Sequence, residues 1–199
     1  MGMTGRMDEV ADALTRASAG PPNGAALLAD ALSGLLAWEL GPRPPDAGDR
    51  ARIATLLKEG ANRRNLGAYV AETAEYAERG RLDGYVPACE RRSALQVLVD
   101  GFGEHGVPGP AVVEELEEID EELRAAAEDA PPPHRNQIPD RIPGSHWWWR
   151  APRRTDMSMR EYRSRLYGGD LEEFEGDAPG SADWLRCGDA ACWCHDAPP

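Results

Sequence analysis

The chain reads as an all-α protein: a bundle of about six helices, followed by a proline-rich extended arm, one further helix and an acidic, partly disordered tail. Three observations carry that reading. Apolar residues recur at three- and four-residue spacing through the first 130 positions, and Gly and Pro interrupt that spacing at helix length. No run of β-branched alternation occurs anywhere in the 199 residues. The aliphatic residues Leu, Ile and Val, together with Phe, thin out abruptly after residue 130, where only Ile138, Ile142, Leu166, Leu171, Phe174 and Leu185 remain. The first stretch can therefore build a core, whereas the second cannot build one alone.

Taken in order, Met7–Ala19 places Val10, Leu14 and Ala17 on one face and stops at Gly20, Pro21 and Pro22. Asn23 is placed to cap a second helix striped with Leu28, Leu32, Leu35 and Leu36, which ends at Gly41 and Pro42. Asp46 or Asp49 opens a third, with Ile53, Leu56 and Leu57 inward, closing near Gly60. Asn65 opens a fourth, with Tyr69, Val70, Thr73 and Tyr76 on one side and Gly80 as its C-terminal stop. Pro87 and Pro110 suit first helical positions, where no amide donor is needed. They open a fifth helix carrying Leu95, Leu98, Val99 and Phe102, and a sixth carrying Val112, Leu116, Ile119 and Leu123.

Pro131, Pro132 and Pro133 mark a boundary, and Pro139, Pro143 and Pro152 predict extended backbone beyond it. Helix returns before Tyr167, with Ser158 and Glu161 spaced as a capping box. The organisation is thus an acidic helical domain over 1–130, a Pro/Trp/Arg-rich arm over 131–156, a short helix over 157–167 and a Cys-bearing acidic tail over 168–199. Charge follows the same divisions. Lys and Arg number 22 against 35 Asp and Glu, a net −13, yet residues 131–167 carry eight arginines against three acids. The overall sign opposes nucleic acid and anionic membranes as partners. No apolar run is long enough to span a bilayer, and the four cysteines do not form a disulfide-rich framework, so a reduced, cytoplasmic setting is expected.

Three features carry the functional expectations. The sixth helix packs seven carboxylates into residues 114–122, among them Glu117, Glu118, Glu121 and Glu122. Like charges at helical spacing repel, so either a solvated face, the arm's own arginines or a basic protein partner accounts for them. The second feature is the run Trp147, Trp148, Trp149 and Arg150, with Arg153 and Arg154 close behind. Three exposed indoles are costly in water, so the run either docks in a groove of the helical domain or grips a partner. Extended backbone would point Trp147 and Trp149 one way and Trp148 the other. The third is Cys187, Cys192, Cys194 and His195, a chemically sensible zinc set whose spacing departs from that of ordinary zinc knuckles.

No phosphate-cradling Gly-rich loop, nucleophile elbow or His-Glu-x-x-His motif is present, and no nucleophile–base pair can be named. The expectation is a non-enzymatic interaction module, adaptor-like or immunity/antitoxin-like, meeting a basic partner through the acidic helix and the Trp/Arg arm. Two alternatives stay open: a small zinc-binding module with a metal-ordered tail, and an enzyme with a pocket under the Trp arm.

Overall fold

The computed structural model describes residues 3–169. Their helices are α1 (Met3–Ser18), α2 (Gly24–Glu39), α3 (Ala47–Lys58), α4 (Asn62–Glu78), α5 (Gly80–Asp83), α6 (Tyr85–Phe102), α7 (Pro110–Asp129) and α8 (Met159–Tyr167). Tight 3-10 turns cover Gly103–His105, Arg135–Gln137 and Trp147–Arg150. Among the described residues there is no strand, so the all-α expectation holds, with α5 no more than a single turn. The fold divides into two compact units. The first holds residues 3–73 and 90–117; the second holds 74–89 and, of the described residues, 118–169.

In the first unit α1 packs on α2 and α3. Val10, Leu14 and Ala17 of α1, Leu28, Leu32 and Leu35 of α2, and Ile53 and Leu57 of α3 are all buried. Of the two expected openers of α3, Asp46 is the N-cap, and Asp49 completes a capping box with it. The Asp46 side chain accepts from the Asp49 amide at 2.9 Å, and Asp49 reciprocates at 3.2 Å. Arg50, one turn into α3, makes a forked contact with the Glu39 carboxylate at 2.8 and 3.0 Å, tying the end of α2 to the start of α3.

The end of α1 leaves carbonyls without intrahelical donors, and α4 supplies some of what is missing. The Asn62 amide donates to the Leu14 and Leu56 carbonyls, each at 2.9 Å, and Asn65 donates to the Ala17 carbonyl at 3.3 Å. The Ala61 amide donates to Ser18 at 2.9 Å. This approach requires Gly60, whose φ is +50° and whose added Cβ would sit 2.3 Å from the Ser18 oxygen.

The same contacts correct two expected helix starts. Asn65 does not open α4; the helix begins at Asn62, and both amides are buried against α1. Asn23 stands at the N-cap of α2, but with φ −96° and ψ 21° it lacks extended capping geometry and its side chain makes no capping bond. Helix α4 does stop just before Gly80, at Glu78, but Gly80 has no left-handed φ and itself begins α5, where a Cβ would meet the Ala126 methyl at 3.2 Å. Pro87 lies in the first turn of α6, two residues after the helix begins. Pro110 opens α7 as expected.

In the second unit α5 packs against α8. Gly84 (φ +95°) and Gly168 (φ +76°) bring two backbone segments together with no space for side chains. A Cβ on Gly84 would lie 2.4 Å from the Tyr167 carbonyl carbon, and one on Gly168 would lie 2.6 Å from that of Asp83. Helix α8 carries the expected Ser158–Glu161 capping box.

Two stability predictions follow from these contacts. Asn62→Ala removes two buried hydrogen bonds and should cost about 2 kcal/mol, read as a lower urea midpoint. Arg63→Ala, exposed on the next position, should stay within about 0.5 kcal/mol of the parent. Gly84→Ala combines a positive φ with a backbone clash and should cost more than about 2 kcal/mol, with amide-exchange protection in α8 lost before that in α1.

Candidate functional site

The tryptophan run is not extended. Prolines forbid a long helix here but allow one 3-10 turn, and the Trp149 amide donates to the His146 carbonyl at 3.4 Å. The three indoles therefore fan out around a turn instead of alternating. Trp148 and Trp149 are 1% and 0% exposed, while Trp147 is half-buried. The Tyr85 hydroxyl, on the first turn of α6, donates to the Trp148 carbonyl at 2.9 Å. His146, also buried, lies with its ring centroid 4.9 Å from that of Trp148. Trp147 meets Trp148 edge-on at 5.8 Å and carries the Arg124 guanidinium 5.0 Å above its ring.

Two of the arm's arginines are held locally. Arg154 pairs with Asp156 at 2.9 Å and with Asp129, at the end of α7, at 3.7 Å. Its amide also donates to the Ala130 carbonyl at 3.3 Å. Arg153 is exposed and donates to the Pro152 carbonyl at 3.1 Å. Neither reaches the glutamate run. On α7, Leu116, Ile119 and Leu123 are buried, while Glu114, Glu115, Glu117, Glu118, Glu121 and Glu122 are exposed. None of these six glutamate side chains has a hydrogen bond or an ion pair among the described residues.

One grouping has no counterpart in a sequence motif. A cleft of about 200 Å³ in the second unit is lined by Arg135, Ile138, Asp140, Arg141, Ile142 and Arg150 together with Pro139. Arg141 holds a left-handed φ of +64°, which disfavours any side chain but is tolerated in the turn closed by the Ile142 amide on the Pro139 carbonyl. The Nη1 atom of Arg150 is buried and has no hydrogen-bond partner among the described residues. The only signal in the sequence is the excess of arginine between residues 131 and 167.

Cys187, Cys192, Cys194 and His195 lie outside the described residues. Among the described residues no group of three or more His, Cys, Asp or Glu is placed to hold a metal ion. No described helix is long and apolar enough to cross a membrane. No family model, curated protein or solved structure matches the chain.

Burial also sets the ionisation of the aromatic framework. Desolvation pushes the Tyr69 and Tyr162 phenols up from 10 to about 12. It pushes Tyr85 further still, with the neighbouring Cys89 thiol adding to the effect. A raised phenol pKa means that the folded state holds its proton more tightly than the unfolded chain does. The stabilisation is complete below pH 10 and is lost as pH climbs through 10 towards 12 and beyond. Phenolate absorbance should accordingly show Tyr69, Tyr85 and Tyr162 lagging behind an ordinary tyrosine, appearing together with loss of helical circular dichroism. Tyr85→Phe should remove one tyrosine's worth of that late signal and lower stability at neutral pH by about 1 kcal/mol, from the lost hydrogen bond to the Trp148 carbonyl.

Proposed function

We propose that this chain is a non-enzymatic protein-interaction module, adaptor-like or immunity/antitoxin-like, that captures a basic protein through the exposed glutamates of α7. The observation that carries the reading is the set of six exposed glutamates whose side chains pair with no cation among the described residues. Like charges three and four positions apart each cost a helix roughly 0.2–0.5 kcal/mol, and a basic surface laid against them would relieve that repulsion. Opposite charge would also speed encounter and fix orientation. Of the aromatic and arginine run, Trp147 and Arg153 keep surface that a partner could touch; Trp148 and Trp149 are committed to the core. A cytoplasmic, reducing setting accords with Cys89, a buried thiol outside any disulfide.

Replacing Glu117, Glu118, Glu121 and Glu122 together by Lys tests this directly. Helical circular dichroism should be retained, because all four side chains are exposed. Affinity capture from a native extract, with the partner identified by mass spectrometry, should yield a basic protein with the parent chain and lose it with the variant. Raised salt should weaken the parent complex. Capture that is unchanged by charge reversal would overturn the acidic-face reading.

A further inference from the structure

The cleft between the Arg135–Gln137 turn and the tryptophan turn is a second site, independent of the acidic face of α7. We propose that it binds a small oxyanion, a phosphate- or carboxylate-bearing molecule. Three arginines line it against a single acid, Asp140. In a chain of net −13 that local balance is a departure from the whole. Guanidinium groups are planar donor forks matched to carboxylate and phosphate oxygens, and they bind these best where water is partly excluded. Ile138, Pro139 and Ile142 supply apolar wall, and Ile142 is itself buried.

Arg150 is the decisive residue. It lines the cleft, and its buried Nη1 has no acceptor among the described residues. A buried donor left unsatisfied is costly, and rotation of the Arg150 guanidinium into the cleft would bring that donor to an anion oxygen.

The frame around the cleft is built before any ligand arrives. The Arg135–Gln137 turn is capped by His134, whose Nδ1 accepts from the Asn136 amide at 3.3 Å. The turn carrying Arg141 is closed by the Ile142 amide donating to Pro139 at 3.2 Å. The turn ending at Arg150 is anchored by the buried rings of Trp148 and Trp149. Such preorganisation lowers the entropy lost on binding. Size selects the ligand class: about 200 Å³ lies below the range of drug-sized pockets, so the occupant has few atoms beyond its anionic group.

The test is titration of the full chain with inorganic phosphate and, separately, with succinate, at constant ionic strength maintained with sodium chloride. Binding is followed by calorimetry and by amide chemical shifts. At least one anion should bind saturably, with shifts confined to residues 134–150. Phosphate alone would assign the site to phosphoryl groups, succinate alone to carboxylates, and both to oxyanions generally. Arg150→Gln should weaken binding by about tenfold or more, the scale of one lost hydrogen bond to a charged group. Arg135→Gln guards against a folding defect. Arg135 is exposed, so this variant should weaken binding several-fold while leaving the melting temperature without anion unchanged. The proposal fails if neither anion saturates, if the shifts fall elsewhere, or if both variants bind as the parent does.

Discussion

Burial of Trp148 and Trp149 is the constraint on which the second unit rests. That unit draws its chain from the region where aliphatic residues are scarce, so two indoles must supply volume that leucines supply elsewhere. Each brings on the order of 200 Å² of surface out of water. The backbone bearing them is polar and has to be satisfied inside the protein, and the Tyr85 hydroxyl does this for the Trp148 carbonyl. One hydrogen bond thus couples the start of α6 to the arm, and it places the phenol where its proton is hardest to remove.

Charge placement follows from that anchoring. With the tryptophans held, Arg154 comes to Asp129 and Asp156, and Arg124 covers the open face of Trp147. Arg150, directly after the indoles, is drawn far enough inward for one nitrogen to lose solvent. Arg153 and Arg154 are therefore used at the arm and at the end of α7, and the glutamates of the middle of α7 are left to solvent. Exposed ion pairs contribute little to stability, so folding does not require those glutamates to be neutralised internally.

Features determined by a few neighbouring residues were legible in the sequence. The Ser158–Glu161 box, the start of α3 at one of Asp46 or Asp49 and the opening of α7 at Pro110 depend on spacing within one turn, and the structure has all three. Asn62 and Asn65 were not legible in the same way. An Asn before an apolar stripe looks like a cap, and only the end of α1, far away in sequence, turns both residues into buried donors. The tryptophan run shows the same limit, since proline spacing predicts extended backbone but does not say that one tight turn fits between prolines. The arginine cleft was hidden for a further reason. It is assembled from separate turns, one with a left-handed arginine, and no periodicity in the chain records that.

The acidic face and the arginine cleft make opposite demands on a ligand, and their different surroundings explain how one chain can carry both. The glutamates of α7 stand on a long helix whose inner stripe, Leu116, Ile119 and Leu123, fixes which side faces out. Their side chains remain solvated, so they act through summed charge and suit a broad basic surface. The arginines stand on short proline-braced turns beside buried aromatic rings, and one of them is already partly desolvated. There each donor counts individually, and geometry, more than net charge, decides what enters. Salt should therefore separate the two sites. Ionic screening weakens contacts made by exposed charges first and acts far less on a partly buried hydrogen-bonded pair.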